Sequence, residues 1–218
     1  MNETGVPAGR LPLRERKKQR TRETLTSSAL EMFTELGFDE TTLDDLCDRA
    51  EVSKRTLFRY FTSKEDVAMA PTQDFWRAFL DEIAKPPNPS SASDPPGPFL
   101  GIVQEAMFAA MDRMPGDDWA GSVRLSRRLA AQTPSMNAHG LGFCDRSIAQ
   151  ALATLTDRFS LDASGVLRAR LVLEFSAATF RCALEAWAAL PGEPRRDRLV
   201  TELRGAFAAM PDALTLAG

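Results

Sequence analysis

The chain is predicted to be all-α, with an N-terminal three-helix unit built around a helix-turn-helix and a larger C-terminal helical domain. Three observations carry this. Apolar residues recur at three- and four-residue spacing along most of the sequence, and no stretch sustains a period of two. Alanine and leucine, both strong helix formers, are abundant. Proline or glycine stands at the breaks in the pattern, as at Gly37, Pro115-Gly116, Pro134 and Pro191-Gly192.

The totals set outer bounds. A length of 218 residues suffices for one substantial core or two modest domains. With 44% hydrophobic and 26% charged residues the composition is that of an ordinary soluble globular protein. A net charge of −3 argues against a surface coated in basic residues but leaves room for a local basic face. Three cysteines are too few and too scattered for a disulfide framework or a metal site, and Cys47 and Cys182 read as small buried hydrophobes. There is no secretory signal and no apolar run near the ~20 residues that span a bilayer, so a cytoplasmic protein with no membrane partner is expected. The single histidine, and the lack of a phosphate loop, metal-spaced cluster or nucleophile elbow, predict neither enzyme nor cofactor nor metal.

Residues 1–13 hold Gly5, Pro7, Gly9 and Pro12 without periodicity and read as an N-terminal arm. The domain at 14–64 begins with a basic run, Arg14, Arg16, Lys17, Lys18, Arg20 and Arg22. Such a run is either a solvated helix start or, ahead of a helix-turn-helix, a segment that lies along phosphates or enters a minor groove. Leu25, Ala29, Met32, Phe33 and Leu36 continue the helix as an apolar stripe, and Gly37 stops it. Thr41 and Thr42, followed by Asp44 and Asp45, form a capping pattern for the next helix.

Within 42–64, Leu43, Leu46, Cys47 and Ala50 hold helical spacing, Glu51-Val52-Ser53 interrupts, and Leu57, Phe58 and Phe61 resume it. That is helix, tight turn, helix. Arg55, Thr56, Arg59 and Tyr60 are expected on one face of the second helix, opposite Leu57, Phe58 and Phe61. From Ser53 to Lys64 the bases Lys54, Arg55, Arg59 and Lys64 meet no acid in the sequence. The charge stands where a groove-reading helix needs it. The expected DNA contacts are Lys54, Arg55, Thr56, Arg59 and Tyr60, with Thr42 and Lys64 on phosphates. Arg55 or Arg59 could read guanine O6 and N7, while Tyr60 and Lys64 anchor the backbone.

The pattern Thr42-Leu43-x-x-Leu46, Ala50-x-Val52-Ser53, Leu57-Phe58-x-Tyr60-Phe61-x-x-Lys64 resembles the DNA-binding domain of the TetR family of transcriptional regulators. Two residues depart from it: Glu51 stands where the family most often has glycine, and Phe58 where it most often has tyrosine. The first places a side chain in a left-handed turn at a cost of about 1 kcal/mol. The second removes a hydroxyl that would contact a phosphate.

Residues 65–85 read as connecting helices, with Ser63 and Asp66 capping the first of them and Pro71 expected to kink or break it. By the family resemblance, that break is either a hinge between DNA-binding head and body or a simple helix end. The stretch 86–98, PPNPSSASDPPGP, is a proline- and serine-rich loop. In the domain at 99–218, helical pattern runs from Phe99 to Met114, from about Asp117 to Gln132, from about Ser135 to Phe159 and from Ala163 to Leu190, and a last helix follows Pro191-Gly192. Gly140 and Gly142 weaken the third of these. In the fourth, Arg170, Glu174, Arg181 and Glu185 make one narrow charged stripe on an otherwise apolar circumference. It and the last helix are either buried core or, paired with their copies, the four-helix interface of a homodimer.

Thr133-Pro134, Leu167-x-Ala169-Arg170-Leu171, Trp187 and Ala206-Phe207 are similar to actinobacterial TetR members related to the mycofactocin regulator. The TetR resemblance implies an effector cavity in the body, and Trp76, Phe79, Met107, Met111, Trp119, Phe143 and Phe175 are its candidate walls. Each of these is otherwise a plain core residue. An apolar or amphipathic effector is expected, and some of those relatives respond to acyl-CoA thioesters. His139 would bond a ligand or sit at a surface or helix start. The expected function is a ligand-responsive repressor that binds a near-palindromic DNA operator as a homodimer. The rival is a helical small-molecule-binding protein whose head is a protein-interaction module.

Overall fold

The computed structural model describes residues 13–86 and 99–214. Most of the expected 1–13 arm and nearly all of the 86–98 loop lie outside them. The described residues form nine helices and no strand. They are α1 Leu13–Leu36, α2 Leu43–Arg49, α3 Lys54–Phe58, α4 Lys64–Ala84, α5 Phe99–Asp112, α6 Gly116–Gln132, α7 Pro134–Phe159, α8 Ala163–Ala189 and α9 Arg196–Leu214. The chain divides into two compact units, Met1–Val67 and Ala68–Gly218.

In the first unit Leu25, Ala29, Leu30 and Phe33 of α1 close over Leu46 and Cys47 of α2 and Leu57 and Phe61, all of them buried. The Phe33 and Phe38 rings meet at 4.9 Å. Leu36 departs from the expected stripe and is exposed at the end of α1, where Gly37 (φ 96°) turns the chain away. The capping box forms as the sequence requires: Asp45 N–H donates to Thr42 Oγ1 at 3.2 Å and Thr42 N–H to Asp45 Oδ2 at 2.8 Å.

In the second unit α8 is the central element, packed on α5, α6, α7 and most extensively on α9. Phe75 stacks on Phe180 at 4.1 Å, and Trp76 meets the same ring edge-on at 5.6 Å. The expected break at Pro71 does not occur, because α4 runs through it. Proline removes one backbone donor and costs about 3 kcal/mol in a helix interior. Val67, Ala68, Met69, Ala70 and Phe75 around it are all buried, and that burial holds the helix together. The Pro71 carbonyl accepts a hydrogen bond from Trp119 Nε1 at 2.9 Å.

Gly140 and Gly142 likewise sit inside an unbroken α7. A Cβ on Gly140 would lie 2.7 Å from Met69 Cε, so this glycine lets α7 approach α4. Cys182 is exposed, against the expectation of burial, because it lies on the outward side of α8. Cys144 is largely buried, and desolvation pushes its thiol up to about 11.

Candidate nucleic-acid interface and body cavity

The turn between α2 and α3 fixes the direction of α3. Val52 N–H donates to Cys47 O at 2.9 Å and Glu51 N–H to Asp48 O at 3.2 Å, the paired bonds of a Schellman turn. Glu51 takes φ 52°, the left-handed conformation expected of the position. Ser53 then caps α3, its Oγ accepting from Thr56 N–H at 3.2 Å.

α3 is shorter than expected. It ends at Phe58, and Tyr60 and Phe61 leave it through bonds from their N–H groups to Leu57 O at 2.9 and 3.0 Å. Leu57 and Phe61 are buried, but Phe58 is 53% exposed, which overturns its assignment to the packed face. The reason is angular. Helical residues step by about 100°, so with Leu57 pointing inward, Phe58 already turns to the flank that Lys54, Arg55 and Arg59 share. Those four are the exposed residues of the face, whereas Thr56 and Tyr60 are half-buried. The Arg59 guanidinium lies 5.0 Å from the Tyr60 ring centre, and its Nη2 donates to the Tyr60 hydroxyl at 3.3 Å.

Three of the expected contacts have other partners within the head. Lys54 Nζ pairs with Asp44 Oδ1 at 2.7 Å, an acid from α2 outside the window in which the bases looked unopposed. That hydrogen bond holds the Lys54 ammonium above its ordinary pKa, so it is charged throughout the physiological range. Lys64 turns inward: its ammonium donates to Phe38 O and, at 3.0 Å, to Thr41 O, and lies 4.3 Å from the centre of the Phe38 ring. It closes the connection between α1 and α2. Thr42 is exposed, but its hydroxyl donates to Asp45 Oδ2 at 2.6 Å. Of the basic run in α1, Arg14, Arg16, Lys17, Lys18 and Arg20 are exposed, while Arg22 packs 5.3 Å from the Phe61 ring centre.

The second unit contains a cavity of about 50 Å³ between α4, α6, α7 and α8. Trp76 and Phe143 are the two expected residues that line it. Phe79, Met107, Met111 and Trp119 are buried in the core, and Phe175 is exposed on the outer side of α8, so none of the five is a wall. Sequence periodicity marked the apolar walls only and missed the polar ones, Thr72, Gln73, Asn137, Arg127 and Arg181. Thr72 Oγ1 and Arg127 Nε are buried without a hydrogen-bond partner among the described residues. Gln73 Nε2 meets His139 Nε2 at 3.2 Å, so the half-buried histidine adjoins a residue that lines the cavity.

A capped three-helix unit that presents cations on its short third helix, followed by a helical body with a cavity, is the arrangement of a helix-turn-helix DNA-binding protein. Residues 25–70 match the family described as "Bacterial regulatory proteins, tetR family". The chain is 30% identical over 182 residues to the HTH-type transcriptional regulator TcmR of Streptomyces glaucescens, covering 80% of this chain and 76% of that protein. The chain belongs to the TetR family and is a DNA-binding transcriptional regulator.

Shorter similarities point the same way. The biofilm operon icaADBC HTH-type negative transcriptional regulator IcaR of Staphylococcus epidermidis is 25% identical over 64 residues, 29% of this chain and 35% of that protein. A Mycobacterium tuberculosis protein, named provisionally as the mycofactocin biosynthesis transcriptional regulator MftR, is 35% identical over 60 residues, 28% of this chain and 29% of that protein. Among the described residues no helix is long and apolar enough to cross a membrane.

Proposed function

We propose that this protein is a ligand-responsive repressor that binds a near-palindromic operator as a homodimer, each head placing α3 in the major groove. The exposed face of Lys54, Arg55, Phe58 and Arg59 carries this reading. Arg55 and Arg59 read guanine O6 and N7, and each bidentate contact is worth about 1–3 kcal/mol of discrimination. Lys54, Thr56, Tyr60 and Thr42 hold phosphates, with the exposed bases of α1 alongside. Lys64 supports the head from within and makes no phosphate contact of its own.

The dimer forms through α8 and α9. Leu167, Leu171 and Phe175 stand four residues apart on α8 and are 59%, 46% and 42% exposed in the single chain. Thr201, Gly205 and Ala208 on α9 are exposed and small enough for a partner helix to come close. Covering such a stripe is the ordinary reason for a soluble chain to carry one.

The effector occupies the body cavity. Trp76, Phe143 and Phe180 supply apolar contact, and Thr72 Oγ1 and Arg127 Nε supply unused hydrogen-bonding capacity for an oxygen-bearing group. A cavity of about 50 Å³ has room for a few waters, so an amphipathic effector enters as the walls part, and an acyl-CoA thioester would require them to part furthest. Preference of the effector for a state with wrongly spaced heads need amount to only about 1–3 kcal/mol to release DNA. The protein works in the cytoplasm and carries out no catalysis.

The test is selection of binding duplexes from a random pool, followed by gel shift with Arg59→Ala. The variant should remain a folded dimer and bind the selected duplex at least ten-fold more weakly. Unchanged affinity would remove Arg59 from the interface. Binding that hardly responds to added salt would favour a protein-interaction role for the head instead.

A further inference from the structure

We infer that Phe58 reads thymine in the operator through its C5 methyl group. The inference rests on the major-groove reading of α3 above. Phe58 lies on one flank of the exposed face of α3, with Lys54 and Arg55 one turn before it and Arg59 beside it. All three neighbours are cations suited to phosphates or guanine. The ring is 53% exposed, and Leu57 and Phe61 already seal the core beneath, so this side chain contributes little to the fold of the head.

Its chemistry narrows what it can meet in a groove. A phenyl ring has neither donor nor acceptor, so it bonds no phosphate and reads no amino or carbonyl edge. Among the groups exposed in the major groove of natural base pairs, the thymine C5 methyl is the hydrocarbon one, and an apolar side chain is its usual partner. A tyrosine at this position would bring a hydroxyl able to donate to the backbone. Phenylalanine gives that up and leaves base identity as the ring's only gain. The ring therefore makes this operator selective for thymine at one step per half-site, next to the bases that Arg55 and Arg59 contact.

The test uses the full-length protein and a duplex selected from a random pool. Each operator thymine is replaced singly by deoxyuridine, which removes the methyl and leaves the hydrogen-bonding edge intact. At one symmetry-related position in each half-site the wild-type protein should lose about four-fold in affinity, the equivalent of about 0.8 kcal/mol for one buried methyl. Phe58→Ala, which removes the contact from both half-sites, should bind the thymine duplex about sixteen-fold more weakly and show no further loss with deoxyuridine. Phe58→Leu, which keeps an apolar side chain, should retain the thymine preference. At the same position the wild type should favour 5-methylcytosine over cytosine by about four-fold. Equal affinity for thymine and deoxyuridine at every position, or an equal loss in Phe58→Ala, overturns the inference while leaving DNA binding in place. If no duplex is enriched, the major-groove reading fails and the inference with it.

Discussion

Replacing Lys64 by methionine separates two roles that the sequence alone leaves fused. The substitution keeps the length of the stem and removes the ammonium. In the structure that ammonium donates to Phe38 O and to Thr41 O and faces the Phe38 ring, all within the connection that sets α2. A hydrogen bond from a charged donor contributes about 1.5–3 kcal/mol and a partly exposed cation–π contact about 0.5–1 kcal/mol. Because water can reach the half-buried site and replace part of this, a net loss of about 2–3 kcal/mol is expected, a sizeable share of the ~5–15 kcal/mol that stabilises a domain. Amide hydrogen exchange of α1 and α2 should report that loss directly. Operator affinity should fall with the population of folded head, yet the slope of log affinity against log salt should not change. A lysine on a phosphate predicts the reverse: little loss of protection, and a slope shallower by about 1.8 for the two contacts missing from a homodimer. That second outcome would refute the inward placement of Lys64.

Three further outcomes are expected. Glu51→Gly should stabilise the head by about 0.5–1 kcal/mol, since glycine removes left-handed strain that exceeds its own entropic cost, and Glu51→Val should destabilise it; denaturant unfolding followed on α2 and α3 decides. Leu171→Arg, on the exposed stripe of α8, should yield a folded monomer in sedimentation, whereas an unchanged dimer would place the interface elsewhere. Asp45, whose carboxyl is held below its ordinary 3.8 by hydrogen bonds from Thr42, stabilises the head above that pH and loses the effect as pH falls through its lowered folded value. Asp45→Asn should therefore flatten the acid limb of the unfolding curve below about pH 4, and an identical limb would contradict the cap.

Much of the head was legible because its signals are local. The Thr42–Asp45 box and the left-handed Glu51 each depend on residues within four positions of one another. The face of α3 was misread by one step, since Phe58 and Tyr60 carry similar apolar bulk and only the early end of the helix at Phe58 shows which turns outward. The partners of Lys54 and Lys64 within the head were not legible for a different reason: Asp44 and Thr41 belong to other elements, and a window along the chain does not see them.

The body follows the same division. Helices α5 to α9 fell close to their expected limits, because proline, glycine and period mark them. Which aromatic or methionine faces a cavity depends on helix packing, which the period of one helix does not carry: Phe79, Met107, Met111 and Trp119 lie in the core, Phe175 is exposed, and Thr72 and Arg127 went unnoticed. Pro71 shows propensity overruled outright by burial on both of its sides.

Methylation interference on the selected operator tests the core of the account. If α3 enters the major groove with Arg55 and Arg59 against guanine, methylating guanine N7 at those positions should abolish binding by the wild type and matter far less to Arg55→Ala or Arg59→Ala at the matching base. Interference confined to adenine N3 in the minor groove, with guanine N7 methylation tolerated throughout, would contradict it.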